Sequence, residues 1–210
     1  MKRFLKRSQT TLERITMKRL VLSLFVATAL ISSCGVMNQS ATSSSRGIPT
    51  TFFNCALGTS PSFVGSAMDR LDYYSNWGGL STYKVAPLGK RKIKETKTYN
   101  RVSYGGYTWQ ETTFLFDYRD RFFCIAFTQD FSNPDNARAR FNEIKSTLDD
   151  KYGLGEKTQY GVRYGNPQGK CILLAVVPTS GKNADGAMCG LYYMDEKIYQ
   201  TSTAAATDEL

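Results

Sequence analysis

Histidine is absent from all 210 residues. That absence removes Ser-His-Asp and Cys-His catalysis and the commonest metal ligand together. A glycine-rich phosphate loop is missing as well: Gly105-Gly106 is followed by a strand-like pattern rather than a helix, and reads as a turn. No apolar run is long enough to suggest a membrane span. Leu20 to Ile31 holds 12 residues, where a spanning helix needs about 20. Acidic residues are outnumbered, 18 against 27 basic, but the imbalance is local. Residues 1–33 hold seven basic and one acidic residue; from Cys34 onward there are 20 basic and 17 acidic, net +3. A basic excess gathered at one end is not the patterned footprint of a nucleic-acid binder, and no nucleic acid is expected as a partner.

The basic start has its own logic. Met17-Lys18-Arg19 is a short cationic segment, the 12-residue apolar run follows, and Ile31-Ser32-Ser33-Cys34 closes it with an apolar residue, two small residues and a cysteine. The run length falls in the range of a cleaved leader, roughly 7–15 residues. The four closing residues resemble the bacterial lipobox. That resemblance implies diacylglyceryl on the Cys34 thiol, cleavage just before it and acylation of the new amino terminus. Residues 1–33 are then a lipoprotein signal peptide, whose true start is either Met1 or Met17, and the mature chain starts at Cys34 either way. Gly35 stands where the inner-membrane retention signal has Asp, which implies an outer-membrane address in the cell envelope. Each buried CH₂ of an acyl chain contributes ~0.8 kcal/mol, so several chains together hold a protein firmly on the membrane.

Residues 34–50 read as a flexible tether. Gly35 to Pro49 is rich in Ser, Thr and Gly, and a coil of that length reaches roughly 20 Å. Residues 51–210 read as one domain, long enough to build a core without a metal or disulfide staple. Ser60 caps a first helix with Pro61 in its first turn and Val64, Met68 and Leu71 on one face, ending before Gly78-Gly79. Asn133 caps a second helix, which Pro134 starts. Its stripe is Ala137, Phe141, Ile144, Leu148 and Tyr152, and Gly153 stops it. Strand patterns lie at Lys92 to Tyr104, Tyr107 to Asp117, Arg121 to Asp130, Thr158 to Tyr164, Cys171 to Val177 and Met188 to Tyr199. The expected fold is α+β: an antiparallel sheet with two main helices packed on one face.

Phe52 through Ser60, a short helix, strands, and then Phe141 through Leu148-Asp149-Asp150-Lys151-Tyr152-Gly153 resemble a group of small uncharacterised bacterial envelope lipoproteins. Their shared marks are a glycine before the first helix, here Gly58, and the helix end at Leu148 to Gly153. A more distant similarity extends to the small lipoprotein of the outer-membrane barrel-assembly machinery and to β-lactamase-inhibitor-like folds. It brings no functional residues with it. The plain physical content of Lys151-Tyr152-Gly153 is a helix C-cap.

Candidate chemistry is sparse. Cys55, Cys124, Cys171 and Cys189 could form two disulfides in an oxidising envelope or remain buried thiols. Cys171 and Cys189, on neighbouring strand patterns, are the favoured pair. Carboxylate pairs able to support glycosidase chemistry would come from Asp69 and Asp72, Glu111 and Asp117, Asp149 and Asp150, or Asp195 and Glu196. Each also reads as part of a solvated face. Lys90, Arg91, Lys92 and Lys94 form a basic cluster that could meet lipid headgroups or an acidic partner, or simply guard an edge strand. Trp77, Tyr107 and Trp109, near Tyr104, could stack a sugar, or pack a sheet as aromatics in strands usually do. No metal or cofactor is expected. The composite expectation is a non-catalytic, lipid-anchored binding or scaffold domain for another envelope macromolecule. A glycan- or peptidoglycan-binding module is the alternative, and a histidine-free carboxylate hydrolase comes behind both.

Overall fold

The computed structural model describes residues 47–76, 81–179 and 185–207. The chain divides into two units, Met1–Ser45 and Arg46–Leu210, and every described residue belongs to the second. That unit starts slightly before residue 51, because Ile48 already packs on the core. Cys34, Trp77 and the leader lie outside the described residues.

A small hairpin comes first, β1 (Thr51–Phe52) and β2 (Cys55–Ala56), with Phe53 and Asn54 both at positive φ in its two-residue turn. Helix α1 (Pro61–Asp69) follows, and the Ser60 side chain caps it by accepting from Phe63 N. After β3 (Ser75–Asn76) comes α2 (Thr82–Val85), which runs into a 3₁₀ turn at Ala86–Leu88. A meander then forms from β4 (Glu95–Tyr104), β5 (Tyr107–Phe116) and β6 (Phe122–Phe131). Gly105 and Gly106 both take the positive φ that the tight β4–β5 turn requires. Helix α3 (Pro134–Tyr152) is capped by Asn133, which accepts from Asp135 N, and is closed at Gly153. A second meander consists of β7 (Glu156–Lys157), β8 (Gly161–Gly165), β9 (Lys170–Pro178) and β10 (Ala187–Asp195), before α4 (Glu196–Thr207).

The order of the antiparallel sheet is β3-β4-β5-β6-β10-β9-β8-β7. Each meander therefore places its last strand at the centre, where β6 and β10 pair with Leu191 opposite Phe127. Two-residue strands close both edges, which leaves little continuous edge for another chain to extend. The fold is α+β, with α1 and α3 on one face as expected. Val64 and Met68 of α1, Ala137, Ile144 and Leu148 of α3, and Phe52 and Phe53 of the small hairpin bury against Tyr99, Trp109, Phe114, Phe127, Leu191 and Tyr193. Fully burying such side chains contributes about 1.5–3 kcal/mol each.

The structure adds one feature to the sequence reading and corrects two of its expectations. The opposite face of the sheet is also covered: Leu88 and its 3₁₀ turn, with Ile198 and Tyr199 of α4, pack on Leu115, Phe123, Cys124, Leu173 and Met194. The last strand stops at Asp195, and Glu196 begins a helix rather than extending the strand to Tyr199. Asp195 Oδ1 accepts from Lys197 N and turns the chain. Helix α1 ends at Asp69, and Asp72 takes positive φ, so Leu71 leaves the buried stripe and is exposed.

Candidate functional site

The short helix α2 places Lys84 over β5 and β6 on the second sheet face. Its Nζ lies 2.7 Å from Glu111 Oε2 and 3.5 Å from Asp130 Oδ2, and only 4% of the residue is exposed. Tyr83 donates its hydroxyl to the same Asp130 oxygen at 2.9 Å, and Tyr192 donates to the Lys84 carbonyl at 2.8 Å. Burial works against the ammonium. The Glu111 hydrogen bond and the charges of Asp130 and Glu111 outweigh it, so Lys84 titrates above an ordinary lysine. A lysine held charged is a poor nucleophile. This cluster clamps α2, and with it the 3₁₀ turn, onto the sheet.

The basic segment is less available than its sequence suggests. The strand begins only at Glu95, so Lys92 and Lys94 do not share a strand face with Thr96. Arg91 is engaged with Glu196 and with the Leu88 carbonyl. Lys94 pairs with Asp120 at 2.9 Å. Lys90 and Lys92 remain exposed. Four cations do not form one free patch because two of them hold together α4, the 3₁₀ turn and the β5–β6 turn.

Trp109 is fully buried, and its indole N–H donates to the Tyr104 carbonyl at 3.1 Å. It therefore cannot stack a sugar, and that expectation is corrected: its side chain belongs to the core on the face that α1 and α3 cover. Tyr104 stacks on Phe127 with ring centroids 4.4 Å apart, and the Arg140 guanidinium sits 4.5 Å over Tyr107. The Tyr107 ring is thus already engaged.

Cys55, Cys124, Cys171 and Cys189 are all buried free thiols. The favoured Cys171–Cys189 disulfide does not form. Their strands are neighbours, but Cys171 is opposite Met194 and Cys189 is opposite Val176, and the two thiols belong to opposite sheet faces. Burial raises the thiols, to about 11 for Cys55 and about 12 for Cys171 and Cys189, and raises Cys124 as well.

Glu111 shares Lys84 with Asp130, and the other candidate carboxylates take separate local roles. Asp117 accepts from the backbone of Arg119 and Arg121 and pairs with the Arg121 side chain. Asp149 joins Lys145 and the Tyr164 hydroxyl. Glu196 joins Arg91. Asp69, Asp72 and Asp150 are exposed. Among the described residues, no group of three or more His, Cys, Asp or Glu side chains could hold a metal ion.

The chain was compared with protein-family models, curated proteins and solved structures. It matches none of them.

What sequence reading missed lies on α1 and in the segment just after it. Phe63, Leu71 and Tyr74 are 52%, 42% and 79% exposed, three of the five large apolar side chains so exposed among the described residues. Phe63, Ala67 and Arg70 line a shallow groove along the outer side of the helix. The available signal was Phe63 itself, which lies one residue ahead of the Val64–Met68 stripe and therefore off it. No helix among the described residues is long and apolar enough to cross a membrane.

Proposed function

We propose that this is a bacterial envelope lipoprotein, anchored by lipid on Cys34, whose domain is a non-catalytic scaffold that binds another envelope protein. The observation that carries the binding reading is that Phe63, Leu71 and Tyr74, three of the five exposed large apolar side chains among the described residues, fall within 12 residues of one another in the chain. Exposed apolar side chains gathered in one place mark interaction surfaces, whereas scattered ones do not. The anchoring half rests on the order of cations, apolar run, small residues and cysteine up to Cys34. A protein is favoured over a glycan because Trp109 lies in the core and Tyr107 lies under Arg140.

Cross-linking in intact cells, followed by purification of the tagged chain, tests this reading. A defined protein should be recovered with the native chain and lost with the Phe63→Ser/Tyr74→Ser variant at unchanged thermal stability. Recovery of glycan in place of protein would reject the binding reading. A Cys34→Ala chain with a cleaved leader should appear in the soluble fraction, and its retention on membranes would reject the anchor.

A further inference from the structure

One end of the large sheet gathers the β5–β6 turn, the β8–β9 turn, the start of α4 and the loop between α3 and β7. Cys124, Met194, Cys171 and Gly165 lie side by side across β6, β10, β9 and β8 near that end. Leu154 precedes β7, whose Glu156 pairs with Arg163, and the intervening Gly155 is packed on Tyr164. The described chain enters the domain at the same end: a Cβ on Gly165 would fall 2.2 Å from Ile48 Cδ1. Two of the five exposed large apolar side chains among the described residues are here, Leu154 at 89% and Tyr118, in the β5–β6 turn, at 49%. Arg119, Lys151, Lys170 and Lys197 are exposed around them and form no ion pair among the described residues. The carboxylates nearby are mostly committed: Asp117 to Arg121, Asp120 to Lys94, Glu156 to Arg163 and Asp149 to Lys145. Asp195 accepts from Lys197 N, and Asp150 is left exposed.

We propose that this end of the sheet rests on the surface of the anchoring membrane, with Leu154 and Tyr118 in the interfacial layer and the four cations among anionic lipid headgroups. The inference rests on the lipid anchor at Cys34 proposed above. Gly47 follows Cys34 by 13 positions, and a chain of that length spans at most about 45 Å. A lipid on Cys34 thereby keeps the entry end close to the bilayer, and the tether turns a weak surface contact into an intramolecular one. Charge is complementary, because clustered lysine and arginine are drawn to anionic headgroups, and a tyrosine ring suits the headgroup level. Shape favours a broad surface over a compact ligand. Tyr118 and Leu154 stand at the two sides of six adjacent strands, β5-β6-β10-β9-β8-β7, roughly 24 Å apart at about 4.8 Å per strand. The contact uses none of Phe63, Leu71 and Tyr74, so it adds to the protein-binding reading rather than replacing it.

The test uses the full lipidated chain reconstituted into vesicles of phosphatidylcholine and phosphatidylglycerol. A bimane fluorophore is placed on Pro167→Cys in the β8–β9 turn, or on Asn136→Cys at the start of α3, at the opposite end of β6. The four thiols of the domain are buried and Cys34 carries the lipid, so the introduced cysteine takes the label. Flotation of the vesicles reads the anchor, and quenching by a nitroxide-headgroup lipid reads which end meets the surface. The label at position 167 should be quenched at least about threefold more than the label at position 136. Neutral vesicles of phosphatidylcholine alone, high salt and the Lys151→Gln/Lys170→Gln variant should each remove at least about half of that difference. The change of lipid keeps the test open if the double variant fails to fold. Equal quenching at both positions in a chain that floats would overturn the inference and leave the anchor standing, as would a difference that persists unchanged in neutral vesicles. A native chain that does not float would reject the anchor and this inference with it.

Discussion

Four thiols illustrate how strongly environment sets the behaviour of a single side chain. Cys55, Cys124, Cys171 and Cys189 are all buried, and burial disfavours the reactive thiolate. With values raised to about 11 or 12 where they are resolved, the native protein should resist iodoacetamide at pH 8. With Cys34 blocked by lipid or replaced by alanine, unfolding should then release four reactive thiols, those of Cys55, Cys124, Cys171 and Cys189. Mass spectrometry of the labelled protein counts them, and rapid labelling of the native state would contradict the burial argument. Asp149 supplies the pH-dependent counterpart. Hydrogen bonds from Lys145 and from Tyr164, the latter at 2.8 Å, hold its carboxyl below the ordinary 3.8. A depressed folded value means that this contribution to stability is complete above the ordinary value and disappears as pH falls through the folded one. The Asp149 carboxyl should titrate below 3.8 by NMR, and Tyr164→Phe should move its midpoint upward.

Elements behave according to how many of their faces find partners. Helix α3 carries a clear start, stripe and stop in its sequence, and all three are realised from Asn133 to Gly153. Helix α1 has the same start but loses Leu71 from its stripe, because the chain turns at Asp72 before another helical turn can form. The short α2 has no side-chain cap and is held by Lys84. Lys84→Ala would leave Glu111 and Asp130 as uncompensated neighbours in a partly buried site, and should cost about 2–4 kcal/mol in urea denaturation. A loss below about 0.5 kcal/mol, the level of a surface pair, would contradict the clamp. In β5, Trp109 is core rather than binding surface. Trp109→Ala should destabilise the domain by about 3–5 kcal/mol, measured by thermal or denaturant unfolding. An unchanged midpoint would mean that the indole is not packed as described.

The whole domain is a sheet covered on both sides. Two meanders meet at β6 and β10, and the central strands are buried on each face. Its broad surfaces are therefore occupied by its own helices, and Phe63, Leu71 and Tyr74 are among the large apolar side chains left exposed. The C-terminal helix belongs to this closure: Arg121 Nη2 donates to the Ile198 carbonyl at 2.6 Å, and Lys92 N donates to the Tyr199 hydroxyl at 2.9 Å. Truncation after Asp195 should uncover Phe123, Cys124 and Met194, lower the melting temperature and increase binding of a hydrophobic dye. Unchanged dye binding in the truncated chain would show that α4 does not cover this face.

Local signals were legible wherever the physics is local. Caps, the Gly105-Gly106 turn, the α3 stripe and the strands of the first meander can be read from neighbouring residues, because a cap or a turn is satisfied within a few positions. The α+β class follows from their order. Coverage of the second face was also partly written in Cys171 to Val177, an apolar run without alternation, which is what a strand buried on both faces requires. Its covering elements were less legible. Helix α4 begins where a strand pattern continues, and the polar ties that hold it come from Arg91, Arg121 and Lys92, more than 75 positions away. The same separation hid the fate of the side chains. Whether Trp109 meets a sugar or the core, whether Cys171 faces Cys189, and whether Arg91 is free or paired depend on strand register and on distant elements, and one residue of register exchanges the two faces of a strand. Sequence alone specifies the helices and turns of this protein, because their partners are near in the chain. The burial and pairing of its cysteines, aromatics and cations follow from the tertiary structure, because the groups that cover them arrive from far along it.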